Sequence, residues 1–308
     1  MSVLLNLMIK IVLMVGLGWG LKRRKVINDE LQKGISNLLM TAVLPFNIIA
    51  SSCQELTKES LYGTIFVAVF SIIYYIGTLL VMTVTSRHLR LTDKCKKLMI
   101  TMAVFANTGF IGFPLVEELF GASALIYAVI YNMFYQVFFY TYGMYLLSSD
   151  GKVSVADIFR SPVTIASFLA LVVFLGQIPI PEVILGTCST VGAMTVPLSM
   201  IVIGCTLADM KLVEVMKDKY GYLISGLRLV AFPMVALVML KALGVSGTVA
   251  GICVLITGLP SGSLNVIVAQ QQESEPDFAA RAVVQSMVYM VVSLPVLVWV
   301  MECFFRVT

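Results

Sequence analysis

The chain has 308 residues, of which 59% are hydrophobic and only 12% are charged, and its mean hydropathy is +0.96. Soluble domains carry about a quarter charged residues, so this composition excludes a soluble globular protein and indicates an integral membrane protein. The net charge of +4 comes from basic residues that follow a membrane-topology pattern, so we do not interpret it as nucleic-acid binding.

Long apolar stretches fill almost the whole chain. A transmembrane helix needs about 20 mostly apolar residues. Ten stretches of this kind occur, near residues 3–21, 34–51, 61–86, 98–118, 122–147, 162–178, 182–207, 220–243, 248–270 and 280–304. The sequence therefore predicts an all-α membrane protein with ten transmembrane helices.

Basic residues set the orientation. The cluster Lys22–Lys25 follows the first apolar run instead of preceding it, so the N-terminus is predicted to be a transmembrane helix and not a cleaved signal peptide. If this cluster is cytoplasmic and the spans alternate, the opposite side keeps only Lys58, Lys241 and Arg306 outside the spans. The positive-inside rule then predicts a multi-pass protein of the cell membrane with both termini on the outer side.

The ten spans divide at a polar stretch near residues 148–161. The first half, 1–150, and the second half, 151–308, then hold five spans each. Because five is odd, the second half lies upside down relative to the first, which predicts two inverted five-helix repeats.

Two spans at matching positions are interrupted. Span four contains Asn107-Thr-Gly-Phe-Ile-Gly-Phe-Pro114, and span nine contains Thr257-Gly-Leu-Pro-Ser-Gly-Ser-Leu-Asn265. Glycine and proline weaken the helix, and open backbone groups at membrane depth must face protein or a watery cavity. Interrupted spans in two repeats indicate a transporter's binding site. The candidate substrate-binding residues are Asn107, Thr108, Gly109, Pro114, Pro260, Ser261, Ser263 and Asn265.

These motifs resemble those of a known family. The run from Asn107 to Leu115, followed by Phe120-Gly121, resembles the fourth-span signature of the auxin efflux carrier family, which includes the plant PIN carriers and bacterial relatives. Residues 197–208, 259–269 and 280–295 resemble the seventh, ninth and tenth spans of that family. The short loop between the halves is similar to the bacterial type.

The resemblance implies a fold similar to those of the antiporter NhaA and of bile-acid transporters, with spans four and nine crossing at Pro114 and Pro260. It further implies a homodimer-forming scaffold of spans one, two, six and seven, and a moving transport domain of spans three to five and eight to ten. The implied function is elevator-type transport, secondary active or facilitative, of a small organic anion such as malate, malonate or an auxin-like acid. Asn107 and Asn265 are the implied ligands.

Several polar residues lie at membrane depth outside the interruptions. Lys10 is interpreted either as a partner for a substrate carboxylate or as a side chain that snorkels or lines a crevice. Arg228 is expected to snorkel near the cytoplasmic edge of span eight. Asn47 and Gln285 are secondary site candidates, whereas Asn132 and Gln136 are interpreted as packing amides.

Other functional classes find less support. The six cysteines form no CxxC pair and the single histidine, His88, lies in a basic loop, so no metal and no cofactor is expected. With no evident nucleophile and base pair, an intramembrane enzyme is the weaker alternative, and an anion-conducting channel is the other. The substrate, the direction of transport and the coupling ion stay open at this point.

Overall fold

The computed structural model describes residues 2–148, 161–209, 218–272 and 274–305. Within these ranges the chain is helical, apart from turns, loops and one isolated antiparallel bridge. We label the helical segments α1 (Ser2–Arg23), α2 (Asp29–Ser51), α3 (Lys58–Arg87), α4 (Asp93–Val104), α5 (108–120), α6 (Ala122–Leu147), α7 (Pro162–Gly176), α8 (Glu182–Ala208), α9 (Lys219–Ala242), α10 (Gly247–Thr257), α11 (Ser263–Gln271) and α12 (Pro276–Phe305). The predicted boundary at residues 150 and 151 lies outside the described residues, as does Arg306.

Six of these helices, α2, α3, α6, α8, α9 and α12, are long and apolar enough to cross a membrane, and α7 and α10 are shorter apolar helices. The all-helical membrane class predicted from the sequence is therefore confirmed for the described residues. The count of ten spans stays a prediction.

The helices pack in two groups. Helices α1, α2, α7 and α8 form the first group: α1 lies along α8, and α2 contacts both α7 and α8. Their backbones approach so closely that a Cβ on Gly204 of α8 would lie 3.0 Å from Gly18 Cα in α1. Helices α3 to α6 and α9 to α12 form the second group, through contacts such as those of α3 with α6 and of α9 with α12.

Three prolines inside the helices follow π turns. The turns Leu39–Val43, Thr108–Gly112 and Leu227–Ala231 come just before Pro45, Pro114 and Pro233, respectively. Proline has no N–H to donate and clashes with the carbonyl one turn back. A π turn, whose hydrogen bonds span one more residue, removes this conflict locally, so the helix continues past each proline.

An aromatic cluster supports the interruption of the first half. Phe105, which directly follows α4, packs against Tyr75 of α3 and against Tyr135 and Phe139 of α6, with ring centroids 5.1 to 5.8 Å apart. Tyr131, one turn before Tyr135, is fully buried against Tyr75. Tyr131 and Tyr135 therefore pack between helices, and the cluster fixes the chain where helix α4 ends.

Candidate functional site

The two interrupted segments meet and pair through their backbones. Helix α4 ends at Val104 and helix α10 ends at Thr257. Between each of these helices and its continuation, Ala106 and Ser261 form an antiparallel β-bridge. The Asn107 amide donates to the Pro260 carbonyl and the Gly262 amide donates to the Phe105 carbonyl, both at 2.9 Å. Each interruption therefore satisfies backbone groups that the other leaves open.

Glycine is required at one position of this bridge. A Cβ on Gly262 would lie 2.8 Å from the Ala106 carbonyl oxygen, which is closer than real side chains approach. The backbone contact between the two segments therefore depends on the absence of a side chain at residue 262.

Pro114 does not lie at the meeting point, which is a correction to the expected crossing at Pro114 and Pro260. Pro260 takes part directly through its carbonyl group, but Pro114 comes after the π turn Thr108–Gly112, inside the first turn of the following α-helix. The reason is that the π turn already accommodates this proline, so the helix breaks earlier, at Phe105–Asn107.

Four helix ends surround the bridge, and the two that begin there face a cavity. Thr108 and Gly109 at the start of α5, and Ser263 and Leu264 at the start of α11, line the same cavity of about 850 Å³. Helix N-termini carry a positive partial charge and open N–H groups, which together favour an anion.

The cavity has an exposed mouth and a buried inner wall. Exposed Asp29, Lys33 and Asn37 of α2 line the mouth, together with Asp209 at the end of α8. The inner wall is formed by the start of α5, by residues of α6 and by the start of α11. This inner wall combines uncharged polar residues with apolar ones such as Phe110, Leu264 and Ile267, so the fixed charges of the cavity lie at its mouth.

Asn107 connects the two interruptions through its side chain. Its Nδ2 donates to Ser263 Oγ at 3.2 Å, and its Oδ1 accepts a bond from the Phe110 amide at 3.3 Å. The side chain thus caps α5 and contacts the first residue of α11. Asn107, Thr108, Gly109 and Ser263 are the sequence candidates that line the cavity.

The remaining primary candidates do not line the cavity. Asn265 is fully buried and its Nδ2 donates to the carbonyls of Phe105 and Gly262 at 3.2 and 3.0 Å. Ser261 Oγ donates to the Met102 carbonyl at 2.8 Å. Asn265 and Ser261 are not part of the cavity lining, and the same holds for Pro114 and Pro260. In this structure Pro260, Ser261 and Asn265 position the backbone of the bridge, whereas Pro114 lies beyond the π turn.

Two amides of α6 belong to the inner wall, although the sequence favoured a packing role for them. The Thr108 hydroxyl donates to Asn132 Oδ1 at 2.6 Å. Asn132 Nδ2 and Gln136 Oε1 are buried and have no hydrogen-bond partner in the structure, and both residues line the cavity. Their four-residue spacing, which places them on one helix face, was the available signal.

The secondary candidates lie away from the cavity. Asn47 Nδ2 donates to Glu117 Oε2 at 2.7 Å, and Lys10 forms an ion pair with Glu118. Both contacts join the first helix group to α5. Gln285 is fully buried in α12, outside the cavity lining.

Arg228 corrects an expectation. Its side chain was expected to snorkel toward the membrane edge, but it has no exposed surface. The guanidinium instead donates hydrogen bonds to backbone carbonyls at the ends of both α4 and α10. The sequence could not reveal this role, because the acceptors are backbone atoms of distant segments.

Comparison with known proteins agrees with the membrane fold. Residues 3–157 and 151–298 match the family described as membrane transport protein. An uncharacterized transporter of Methanothermobacter thermautotrophicus is 28% identical over 297 residues, covering 93% of this chain and 95% of the relative. An uncharacterized transporter of Methanocaldococcus jannaschii is 21% identical over 289 residues, covering 91% of this chain and 92% of the relative.

These matches extend over nearly the full chain and include both interrupted segments. They confirm the resemblance to the auxin efflux carrier family that the span-four motif predicted. The chain belongs to the membrane transport protein family, and we identify it as a multi-pass membrane transporter of that family.

Proposed function

We propose that this protein is a secondary transporter of a small organic anion, and that the cavity beside the Ala106–Ser261 bridge is its binding site. The observation that carries the proposal is the convergence of two helix N-termini, those of α5 and α11, on one cavity. Small-molecule sites have volumes of about 300 to 1,000 Å³, and this cavity lies within that range.

The lining favours a carboxylate. Open amides at two helix starts provide N–H donors for an anion, and Asn107 and Ser263 add side-chain donors. The inner wall also offers an unpartnered amide donor on Asn132 and an unpartnered acceptor on Gln136. A substrate with a carboxylate and a second polar group, such as a hydroxyl, an N–H or a protonated carboxyl, would satisfy all of these.

The proposed topology is ten spans in two inverted repeats. In this scheme α4 with α5 forms span four and α10 with α11 forms span nine, so the interruptions take equivalent positions in the two halves. The cavity mouth, with Asp29, Lys33 and Asp209, then faces the cytoplasm, and both termini face outward. The state described is inward-facing. We place the protein in the cell membrane.

The proposed mechanism is elevator-type alternating access. Helices α1, α2, α7 and α8 would form the scaffold and the dimer contact, and α3 to α6 with α9 to α12 would form the transport domain. Two observations support this division: the helices pack in these two groups, and the cavity lies between α2 of one group and α5, α6 and α11 of the other. Outside the cavity lining, the Asn47–Glu117 and Lys10–Glu118 contacts also join the groups, which opposes a continuous pore.

A binding screen followed by a flux assay tests the proposal. Purified protein is heated in the presence of mono- and dicarboxylates and indole acids, and a ligand is expected to raise the unfolding temperature by mass action. Hits are then tested in proteoliposomes, where unlabelled substrate inside the vesicles should accelerate uptake of labelled substrate. Saturable uptake without such acceleration would favour a channel, and failure of every organic anion to bind would overturn the substrate class.

A further inference from the structure

A buried positive charge lies next to the bridge and outside the cavity lining. Arg228 belongs to the π turn Leu227–Ala231 of α9, and its side chain is fully buried. Nε donates to the Leu259 carbonyl at 2.8 Å, and Nη2 donates to the Thr257 carbonyl at 3.3 Å. Nη1 lies 2.8 Å from the Val104 carbonyl and 3.1 Å from the Ala103 carbonyl. Arg228 thus contacts both interrupted segments.

The acceptors share one property. Ala103 and Val104 end helix α4, while Thr257 ends helix α10 and Leu259 follows it. The last carbonyls of a helix lack partners within the helix, and each helix C-terminus carries about half a negative charge. Two such ends sum to about one negative charge, which the single guanidinium matches.

The rest of the environment agrees with a charge that is held permanently. Burial of an ion is costly unless its hydrogen bonds are satisfied, and each guanidinium nitrogen of Arg228 has a bond to oxygen. Nη1 also lies 3.3 Å from the Tyr74 hydroxyl oxygen. Within the described ranges no carboxylate forms an ion pair with Arg228. The counter-charge therefore comes from the backbone of the two helices.

We propose that Arg228 is a resident cation and positioning residue: it neutralises and joins the ends of α4 and α10, and so holds the bridge in place. In cation-coupled transporters with broken helices, half-helix C-termini and unwound carbonyls coordinate the coupling ion. Here a side chain of the protein occupies that kind of oxygen cluster. The structure therefore does not require a sodium ion at this position. The consequence that transport is not coupled to sodium here rests on the proposed function.

Arg228 acts on the cavity through the backbone. It does not line the cavity, but its acceptors directly precede Phe105–Asn107 in one segment and Pro260–Gly262 in the other. These segments contain both bridging hydrogen bonds. Loss of the guanidinium is expected to leave four carbonyl groups facing one another around a space that attracts a cation.

The test measures thermal unfolding without any substrate, so it is independent of the proposed transport activity. Wild type and Arg228→Met are compared in sodium chloride, in N-methylglucamine chloride and in millimolar methylguanidinium, all at equal ionic strength. Wild type should unfold at the same temperature in all three. Arg228→Met should unfold at a lower temperature and be partly restored by sodium or methylguanidinium. Arg281→Met, which removes an arginine paired with Asp218, should show no such restoration.

Arg228→Lys provides a second variant for the same comparison of unfolding temperatures if Arg228→Met does not fold. Lysine retains the charge but not the fork of donors, so its unfolding temperature should be several degrees below that of wild type and should not respond to sodium. An unchanged temperature in Arg228→Lys, or in Arg228→Met, would overturn the positioning role. Sodium-specific stabilisation of wild type that disappears in Arg228→Lys would overturn the resident-cation role.

Flux measurements give a quantity, the apparent KM, that does not depend on the overall stability of the protein. With a substrate identified, the apparent KM of wild type should be independent of sodium, whereas that of Arg228→Met should be raised in N-methylglucamine and lowered by sodium. If the KM of wild type depended on sodium, and the KM of Arg228→Lys depended on it equally, the inference that transport needs no sodium would be contradicted. The positioning role shown by thermal unfolding would not be affected. Absence of any transported anion would count against the proposed function alone.

Discussion

Asn107 and Ser263 lie far apart in the chain, yet the Asn107 side-chain amide donates a hydrogen bond to Ser263 Oγ at 3.2 Å. Both residues line the cavity, and each stands at the start of a helix that continues from an interruption. The contact makes the two helix starts one polar surface. A ligand that binds there interacts with both halves of the protein.

The two asparagines carried over from the family resemblance should respond differently to removal of the side chain. Asn107→Ala removes a cap and a cavity donor, so substrate affinity should fall about fivefold to tenfold, equivalent to about 1 to 1.4 kcal/mol. Asn265→Ala leaves the Phe105 and Gly262 carbonyls without their amide, so the free energy of unfolding should fall by about 1 to 3 kcal/mol. Thermal unfolding and substrate titration separate the two effects.

Asn37→Ala serves as the control for this comparison, because Asn37 is exposed at the mouth of the cavity. Asn37→Ala should change neither the substrate affinity nor the free energy of unfolding appreciably. If Asn107→Ala bound substrate like wild type while Asn37→Ala did not, the binding site would lie at the mouth.

Substitution of the two unpartnered amides of α6 should separate stability from function. Gln136→Leu replaces a buried amide oxygen that lacks a partner with an apolar group of similar size. Removal of an unsatisfied buried group is neutral or stabilising, so the unfolding temperature of Gln136→Leu should stay constant or rise while uptake falls at least tenfold. Asn132→Leu also removes the acceptor of the Thr108 hydroxyl, so its free energy of unfolding should fall by about 1 to 3 kcal/mol together with uptake. Thermal unfolding and proteoliposome uptake measure the two quantities. A large loss of stability with unchanged uptake would assign both amides to packing.

Gly262→Ala should weaken the bridge. The added methyl group would lie 2.8 Å from the Ala106 carbonyl oxygen, and overpacking of this kind costs about 1 to 3 kcal/mol. Gly186→Ala is the matched control, because its Cβ meets no atom within 4 Å and it lies inside α8. That change should stabilise the helix by about 0.5 to 1 kcal/mol. Equal effects of the two substitutions on the unfolding temperature would argue against a tight bridge.

The ion pair between Lys10 and Glu118 provides a test of domain movement. It joins α1 to α5, and in the proposed elevator these helices must separate. In a background free of the six native cysteines, Lys10→Cys with Glu118→Cys should form a cross-link with a short bifunctional thiol reagent. Cross-linked protein should lose uptake, and cleavage of the linker should restore it.

The control for this experiment is Lys58→Cys with Ser60→Cys, a pair within the first turn of α3. Treatment of that pair with the reagent should leave uptake unchanged. Full activity of the cross-linked Lys10 and Glu118 pair would exclude movement of α5 relative to α1.

The location of the two interrupted segments was predictable because glycine, proline and small polar residues interrupt apolar stretches that are otherwise continuous. The family followed from the same residues. Details set by contacts between distant segments were not predictable. Pro114 indicated a break at the proline itself, but a π turn accommodates that residue and the break lies at Phe105–Asn107.

The roles of Arg228 and Asn132 were missed for a related reason. An arginine near the end of an apolar span resembles a snorkelling residue, and an amide inside a span resembles a packing residue. The structure distinguishes these residues by their acceptors: backbone carbonyls for Arg228, and the Thr108 hydroxyl together with a cavity for Asn132. A sequence pattern along one helix contains no information about such partners.

The Ala106–Ser261 bridge also has a consequence for biogenesis. At a synthesis rate of about 5 to 20 residues per second, Ser261 leaves the ribosome on the order of ten seconds after Ala106. During this interval Phe105 and Asn107 lack the backbone partners that Gly262 and Pro260 later supply. A nascent chain released before Ser261 would keep these open groups at membrane depth, where they cost several kcal/mol each, and is expected to be degraded by membrane proteases.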